Sequence, residues 1–334
     1  MNASGAPDAA PATADDRRGE SGDDRPTESG GDRPTESGGD RPTESGDDRP
    51  GESIVVETNG ISLHTRQAGP EDGPLVVLLH GFPEFWDSWH RQIEPLADAG
   101  YRVIVPDQRG YNRSDKPDGV ASYHIEELVA DVVGLIDAAG RETAAVAGHD
   151  WGAAVAWWLA LSHPDRIDSL TAVNVPHPTV MEETLRHSLS QLRKSWYMFA
   201  FQVPMLPETI ATANNCRVLS RGLTNSSRPG TFSATDLQRY REAWTQPGAV
   251  TSMINWYRAM GRYRPRPPRE QVSVPTLVMW GQQDEFLEPA MAEESLTYCD
   301  DGRVVTYPSA THWVLHERPE ETAEELLAHL DATV

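Results

Sequence analysis

Lysine is nearly missing from this chain: Lys116 and Lys194 are the only two in 334 residues, so almost all positive charge is arginine. That bias carries no mechanism by itself. Cysteine is as scarce: Cys216 and Cys299 stand far apart with no metal-type spacing, and two cysteines give no disulfide framework. Such thrift with thiols suits a reducing cytoplasm. Long apolar runs are missing too, since none approaches the roughly 18 residues of a membrane span, and the N-terminus has no apolar signal core. Basic residues are outnumbered, 29 against 51 acidic, for a formal net charge of -22. This balance argues against a nucleic acid or an anionic membrane as partner. What remains is the expectation of a soluble intracellular protein with one or two domains and room for a sizeable core.

Two regions of different character follow. Residues 1–53 are low in complexity: the octad Asp-Arg-Pro-Thr-Glu-Ser-Gly-Gly starts at Asp24, Asp32 and, varied at its last residue, Asp40, with a truncated copy at Asp48. The octads contain no apolar residue to offset the entropy of ordering a backbone, so a disordered tail is expected. From Ile54 onward the pattern is globular. Ile54–Glu57 and Ile61–Gln67 alternate around Asn59-Gly60, a hairpin signal. Apolar runs suited to buried strands recur at Leu75–Leu79, Tyr101–Pro106, Thr143–Ala147, Asp168–Val173, Thr276–Trp280 and Arg303–Tyr307. Helical patterns lie between them, clearest at His124–Ala139, Ala153–Ser162, Pro289–Tyr298 and Pro319–Leu330. Strand and helix in alternation predict a mostly parallel, eight-stranded sheet with helices on both faces. The alternation stops over residues 176–269, a polar, helical stretch with scattered aromatics before the last two strands. An insertion there would sit over the C-terminal ends of the strands, where open α/β sheets bind ligands. Residues 54–175 and 270–334 are thus expected to form the core and residues 176–269 a helical cap.

The chemistry centres on Gly148-His149-Asp150-Trp151-Gly152, between a strand-like run and an Ala-rich helical one. A strand, a sharp turn and a helix, with small residues two places either side of a central nucleophile, form the nucleophile elbow of the α/β-hydrolase fold. Aspartate stands at the centre where an esterase has serine. A serine attacking an sp3 carbon would leave an ether, which water does not cleave; an aspartate leaves an ester, which it does. The pattern therefore selects alkylating carbons, such as epoxides or haloalkanes, over acyl groups. His312 follows the last strand as the candidate base, and Asp284 follows the preceding strand as its orienting acid. The alternative acid position, after the strand ending at Val173, holds Asn174, which cannot serve. Backbone N–H groups of Phe82, in His80-Gly81-Phe82-Pro83-Glu84, and of Trp151 are placed to form an oxyanion hole. Phe82-Pro83 is a candidate cis bond.

Taken together these pieces resemble an epoxide hydrolase of the α/β-hydrolase superfamily, from about Ile54 to the C-terminus. The matching segments are HGFPE at His80, GYNRSDKP at Gly110, GHDWG at Gly148, NVPHP at Asn174, GxxD at Gly281 and the His312-Trp313 pair. Asn112 and Thr311 replace frequent glycines, and the repeat tract has no counterpart. The resemblance implies two cap tyrosines, matching Tyr197 and Tyr257, that donate hydrogen bonds to the epoxide oxygen. Tyr240 and Tyr263 are the substitutes for them. Trp86, Trp151, Trp196 and Trp256, clustered near the motifs, favour an apolar substrate pocket, and Trp313 is expected to line it as well. The expected partners are a small apolar epoxide and water, with no organic cofactor and no metal.

Two other readings fit part of this pattern. A haloalkane dehalogenase shares the fold, nucleophile and base, but needs halide donors, here Trp151 with Trp196. A non-catalytic relative used as a binding or receptor module fits less well, because nucleophile, acid and base are all present.

Overall fold

Alternating residues open the described chain as a hairpin, β1 (Glu52–Thr58) and β2 (Ile61–Ala68), around the Asn59-Gly60 turn. The computed structural model describes residues 49–333, so the tail expected to be disordered lies outside the described residues as far as Asp48. Its expected edge at residue 53 moves. Residues 49–53 belong to the folded unit, because β1 already begins at Glu52 and the Arg49 guanidinium is held by Asp87 and Asp236 at 3.0 and 2.8 Å. A charged side chain at the end of a polar repeat gives no apolar signal of this.

The remaining strands are β3 (Leu75–Leu79), β4 (Arg102–Pro106), β5 (Ala144–His149), β6 (Ile167–Val173), β7 (Thr276–Gly281) and β8 (Gly302–Tyr307). Among the described residues they form one eight-stranded sheet in the order β1-β2-β4-β3-β5-β6-β7-β8. β2 runs antiparallel to β1 and β4, and every other neighbouring pair is parallel. Strands β3, β5 and β7 are buried at every residue, which requires cover on both faces and explains their continuous apolar runs.

The cover comes from α1 (His90–Asp98), α2 (Ile125–Ala138) and α3 (Trp151–Ser162), with the later helices α10 (Ala290–Ser295), α11 (Val314–Glu317) and α12 (Pro319–Asp331). α3 is apolar nearly all round, as a central helix must be; α1 packs on α12, and α2 on α3. Between β6 and β7 lie α4 (Pro178–His187), α5 (Leu189–Lys194), α6 (Trp196–Ala200), α7 (Leu206–Ser226), α8 (Ala234–Trp244) and α9 (Ala249–Tyr263). α8 opens with a reciprocal capping box between Ser233 and Asp236. α7 is broken at Ala213–Cys216, where three consecutive residues turn left-handed.

Two cap tryptophans fasten this layer to the loops after β3 and β4. Trp244 donates its indole N–H to the Pro83 carbonyl at 2.5 Å, and Trp256 donates to the Arg109 carbonyl at 3.0 Å.

Candidate active site

The turn from β5 to α3 sets the site. Asp150 joins the two elements with φ 49° and ψ -122°, a conformation costing on the order of 1–3 kcal/mol for a residue with a side chain. The approach of strand to helix is close: a Cβ on Gly148 would fall 2.3 Å from the Gly152 carbonyl carbon. This strained turn lifts the carboxylate above the ends of the strands. The loop after β3 meets it there, with the Phe82 N–H donating to Asp150 Oδ1 at 2.7 Å. A side chain at position 81 would collide with Asp150 Cβ at 2.3 Å, so Gly81 is needed for this contact. The Phe82-Pro83 peptide is cis.

His312 stands on the other side, with Nε2 3.5 Å from Asp150 Oδ2 and Nδ1 2.7 Å from Asp284 Oδ2. All of Asp284's acceptor capacity is used in the interior. Oδ1 takes the N–H groups of Phe286 and Leu287 at 2.7 and 3.0 Å, and Oδ2 takes the Asn174 amide at 2.7 Å as well as His312. Burial acts to raise the Asp284 carboxyl, but the His312 charge and these donors prevail and hold it below the usual range. Burial likewise acts to lower His312; Asp284 and then Asp150 overcome it and push the imidazole up to about 10.

Tyr197, at the start of α6, and Tyr257, in α9, close the site from above. Their rings lie 5.9 Å apart at 79°, and Tyr257 also meets Trp151 and Phe82 edge-to-face at 4.9 and 5.2 Å. Burial first, and then the Asp150 charge, push both phenols well above their ordinary value, so each keeps its proton and can donate it in a hydrogen bond. Asp150, Trp151, Tyr197 and Tyr257 all line one cavity of about 720 Å³. Its walls are mostly apolar, with Trp158, Met181, Leu185, Met198, Met260 and Leu287 among them.

Comparison with known proteins agrees with this geometry. The model of the alpha/beta hydrolase fold family matches residues 74–319. The AB hydrolase superfamily protein YfhM of Bacillus subtilis is 48% identical over 82% of this chain and 96% of its own. Epoxide hydrolase A of Mycobacterium tuberculosis is 33% identical, covering 83% of this chain and 96% of its own. The crystal structure of the Bacillus megaterium epoxide hydrolase with an inhibitor superposes with a TM-score of 0.77 at 30% identity, over 83% of this chain and 100% of that one. The chain belongs to the α/β-hydrolase fold family, among its epoxide hydrolases.

In this epoxide hydrolase most of the tryptophans are not where the sequence suggested. Of those expected, Trp151 lines the large cavity, together with Trp158, whereas Trp86, Trp196, Trp256 and Trp313 do not. Adjacent helical residues point about 100° apart, so Tyr197 and Tyr257, turned into the cavity, turn Trp196 and Trp256 away. Trp196 is 66% exposed, whereas Trp256 is buried on the Arg109 carbonyl. Trp313 donates to Ser226 at 2.9 Å, and Trp86 lies under the Arg66 guanidinium at 4.6 Å. Of the substitute tyrosines, Tyr240 donates to Glu84 at 2.7 Å and Tyr263 packs on His124, neither beside Asp150.

Three residues that sequence reasoning passed over hold the acid loop of the hydrolase. Asn174, set aside because it cannot be the acid, instead donates to the acid and accepts from the Gly281 N–H at 3.1 Å. Gln191 in α5 bridges the Phe286 carbonyl and the Glu288 N–H at 2.8 and 3.1 Å. Lys194 donates to the carbonyls of Asp284 and Leu287 at 2.8 and 3.3 Å. Glu84 is a fourth hub, buried and accepting from His149, His316 and Tyr240 at 3.0, 2.7 and 2.7 Å. Burial opposes its ionisation, but the two histidines hold its carboxyl far below the usual range. His149 in turn meets the His312 carbonyl at 2.9 Å, so this network reaches the backbone of the base.

Proposed function

We propose that Asp150, His312 and Asp284 hydrolyse an epoxide to a vicinal diol through a covalent ester on Asp150. Asp150 Oδ2, the oxygen not held by Phe82, attacks one epoxide carbon as the carbon–oxygen bond breaks. Tyr197 and Tyr257 donate to the departing alkoxide and protonate it, which removes the main obstacle of a poor leaving group. His312 then takes a proton from water, and the hydroxide attacks the Asp150 carbonyl carbon. The negative charge forms on Oδ1, where the N–H groups of Phe82 and Trp151 receive it. Collapse releases the diol and restores the carboxylate, and the proton on His312 returns to the tyrosine. Alkylation also times the base: it neutralises Asp150, one of the two anions that raise His312, and so lowers the imidazole's pKa when a base is needed.

The observation that carries this reading is that Tyr197 and Tyr257 line the same cavity as the Asp150 carboxylate, where burial favours their protonated, hydrogen-bond-donating form. Trp196, the second halide donor required for a dehalogenase, points to solvent. The cytoplasmic location expected from the cysteine content is kept in this reading, and among the described residues no helix is long and apolar enough to cross a membrane.

The test is turnover by the full chain of styrene oxide and of a 1-haloalkane, with diol and halide both quantified. Diol without halide is expected, abolished by Asp150→Ala. Tyr197→Phe and Tyr257→Phe should each lower kcat by roughly 10²–10³. Halide release with no diol would overturn the reading.

A further inference from the structure

The cap carries a surface that the reaction does not use. Eleven large hydrophobic residues are exposed among the described residues, and seven of them are concentrated in the stretch from Leu189 to Ile210, across α5, α6 and the start of α7. Leu189 is 84% exposed, Met205 76% and Trp196 66%, with Phe199, Val203 and Leu206 beside them. Trp196 and Phe199 lie one turn apart on α6, and Val203 and Met205 follow in the turn that leads into α7.

The charge of the same region opposes that of the whole. Residues 176–269 hold 13 basic and 5 acidic residues in a chain whose formal charge is -22. Several of the basic groups flank the apolar cluster. Arg193 is exposed one turn before Trp196, and exposed Arg262, Arg264 and Arg266 extend from the end of α9. That end lies against the cluster, since a Cβ on Gly261 would meet the Gln202 amide at 2.9 Å, and Phe199, Arg264 and Arg266 line the active-site cavity. The nearby acids are partly spoken for: Glu182 pairs with Arg186, and Glu208 pairs with Arg258 at 2.5 Å. Glu183 and Glu270 are the others.

We infer that this face of the cap docks on an anionic lipid surface, with the exposed apolar side chains entering the headgroup boundary and the arginines meeting lipid phosphates. Exposed aromatic and aliphatic side chains ringed by arginine are what an interfacial contact needs. A second copy is a poorer occupant, because a symmetric contact would bring arginine clusters face to face. The net negative charge of the chain does not prevent docking. Charges more than about 8 Å beyond the contact are screened at physiological ionic strength, and the cap's own sign governs the approach. Phe199, Arg264 and Arg266 of this face also line the cavity, so an apolar epoxide dissolved in the bilayer would enter from it without crossing water.

The test is co-sedimentation of the full chain with vesicles of phosphatidylcholine, alone and mixed with phosphatidylglycerol, at low and high salt. Binding to the mixed vesicles that weakens with salt is expected, with little on phosphatidylcholine alone. Leu189→Ser with Met205→Asn, and separately Arg193→Glu with Arg262→Glu, should each weaken binding about tenfold or more. None of these four residues lines the cavity, so turnover of a water-miscible epoxide should be unchanged in both variants, which reports that they are folded. Sedimentation reads the contact without catalysis, so it stands apart from the proposed reaction. Absence of wild-type binding to the mixed vesicles would overturn the inference. So would binding indifferent to the arginine reversals, or a dimer in solution that the Leu189→Ser/Met205→Asn variant splits.

Discussion

Asn174 shows how a residue rejected for one role is fitted to another. It sits with φ 53° after β6, one amide oxygen on the Gly281 N–H and the amide nitrogen on Asp284. Replacing it with leucine removes one donor from a buried carboxylate, a loss of about 1.5–3 kcal/mol. The sign with pH follows from Asp284, whose carboxyl is held below its ordinary value. That stabilisation is present above the unfolded pKa of about 3.9 and lost as pH falls. Urea denaturation should therefore show the Asn174→Leu deficit in full at pH 7 and at pH 5, and a smaller one only below the unfolded pKa of about 3.9, as pH falls through the lowered folded pKa; a deficit that stays equal there would mean that lost packing is the cause. His312 gives the opposite slope. Its pKa is raised to about 10, so its contribution is whole below about 6.5 and disappears as pH rises through 10. The stability gap between wild type and His312→Gln should close over that window. In the sequence, Asp150, Asp284 and His312 were legible because each sits in a short motif at the end of a strand. Asn174 lay in a motif too, but its use depends on a partner 110 residues away.

At the scale of the element, α5 couples the cap to the acid loop. Gln191 and Lys194 grip residues 284–288, and Tyr197 follows three residues later, so one short segment positions both the acid's backbone and a phenol. Gln191→Leu leaves a part-buried carbonyl and a part-buried N–H without this partner, at a cost of roughly 1–3 kcal/mol. Lys194→Met removes only the ammonium and should fold. The expected result for Lys194→Met is a fall in kcat with little change in KM, because the substrate pocket stays and the alignment of Asp284 and His312 suffers. Rapid-quench measurement should show more of the ester intermediate accumulating than in wild type. A rise in KM alone would place Lys194 in substrate binding instead. The sheet was readable strand by strand, since fully buried parallel strands give unbroken apolar runs. α1 was not, as Pro95 lies inside it and only Gln92, Ile93 and Leu96 are buried. The tryptophans misled because composition near a motif says nothing of which way a side chain turns.

For the molecule as a whole, the boundary between tail and folded unit is set by charge, which apolar patterning does not register. Arg49 reaches Asp87 and Asp236 while its carbonyl accepts from Arg66 at 2.6 Å, so the first described residue ties the hairpin, the loop after β3 and α8 together. Burial raises the Asp87 carboxyl to about 6, with Arg49 the leading group opposing that rise. A raised acid is a liability once both states are ionised: the cost is absent below the unfolded pKa of about 3.9 and complete above the folded one. Removing Arg49 lifts the folded pKa further and enlarges that cost. Arg49→Met should thus be destabilising by about 3 kcal/mol at pH 7, with a deficit that shrinks as pH falls towards 4. Truncation after Asp48 should leave the melting temperature unchanged, whereas truncation after Ser53 should lower it at least as much as Arg49→Met. A deficit for Arg49→Met that does not vary with pH would show that Asp87 is not the group Arg49 serves. Equal melting of the two truncated proteins would return the boundary to residue 53.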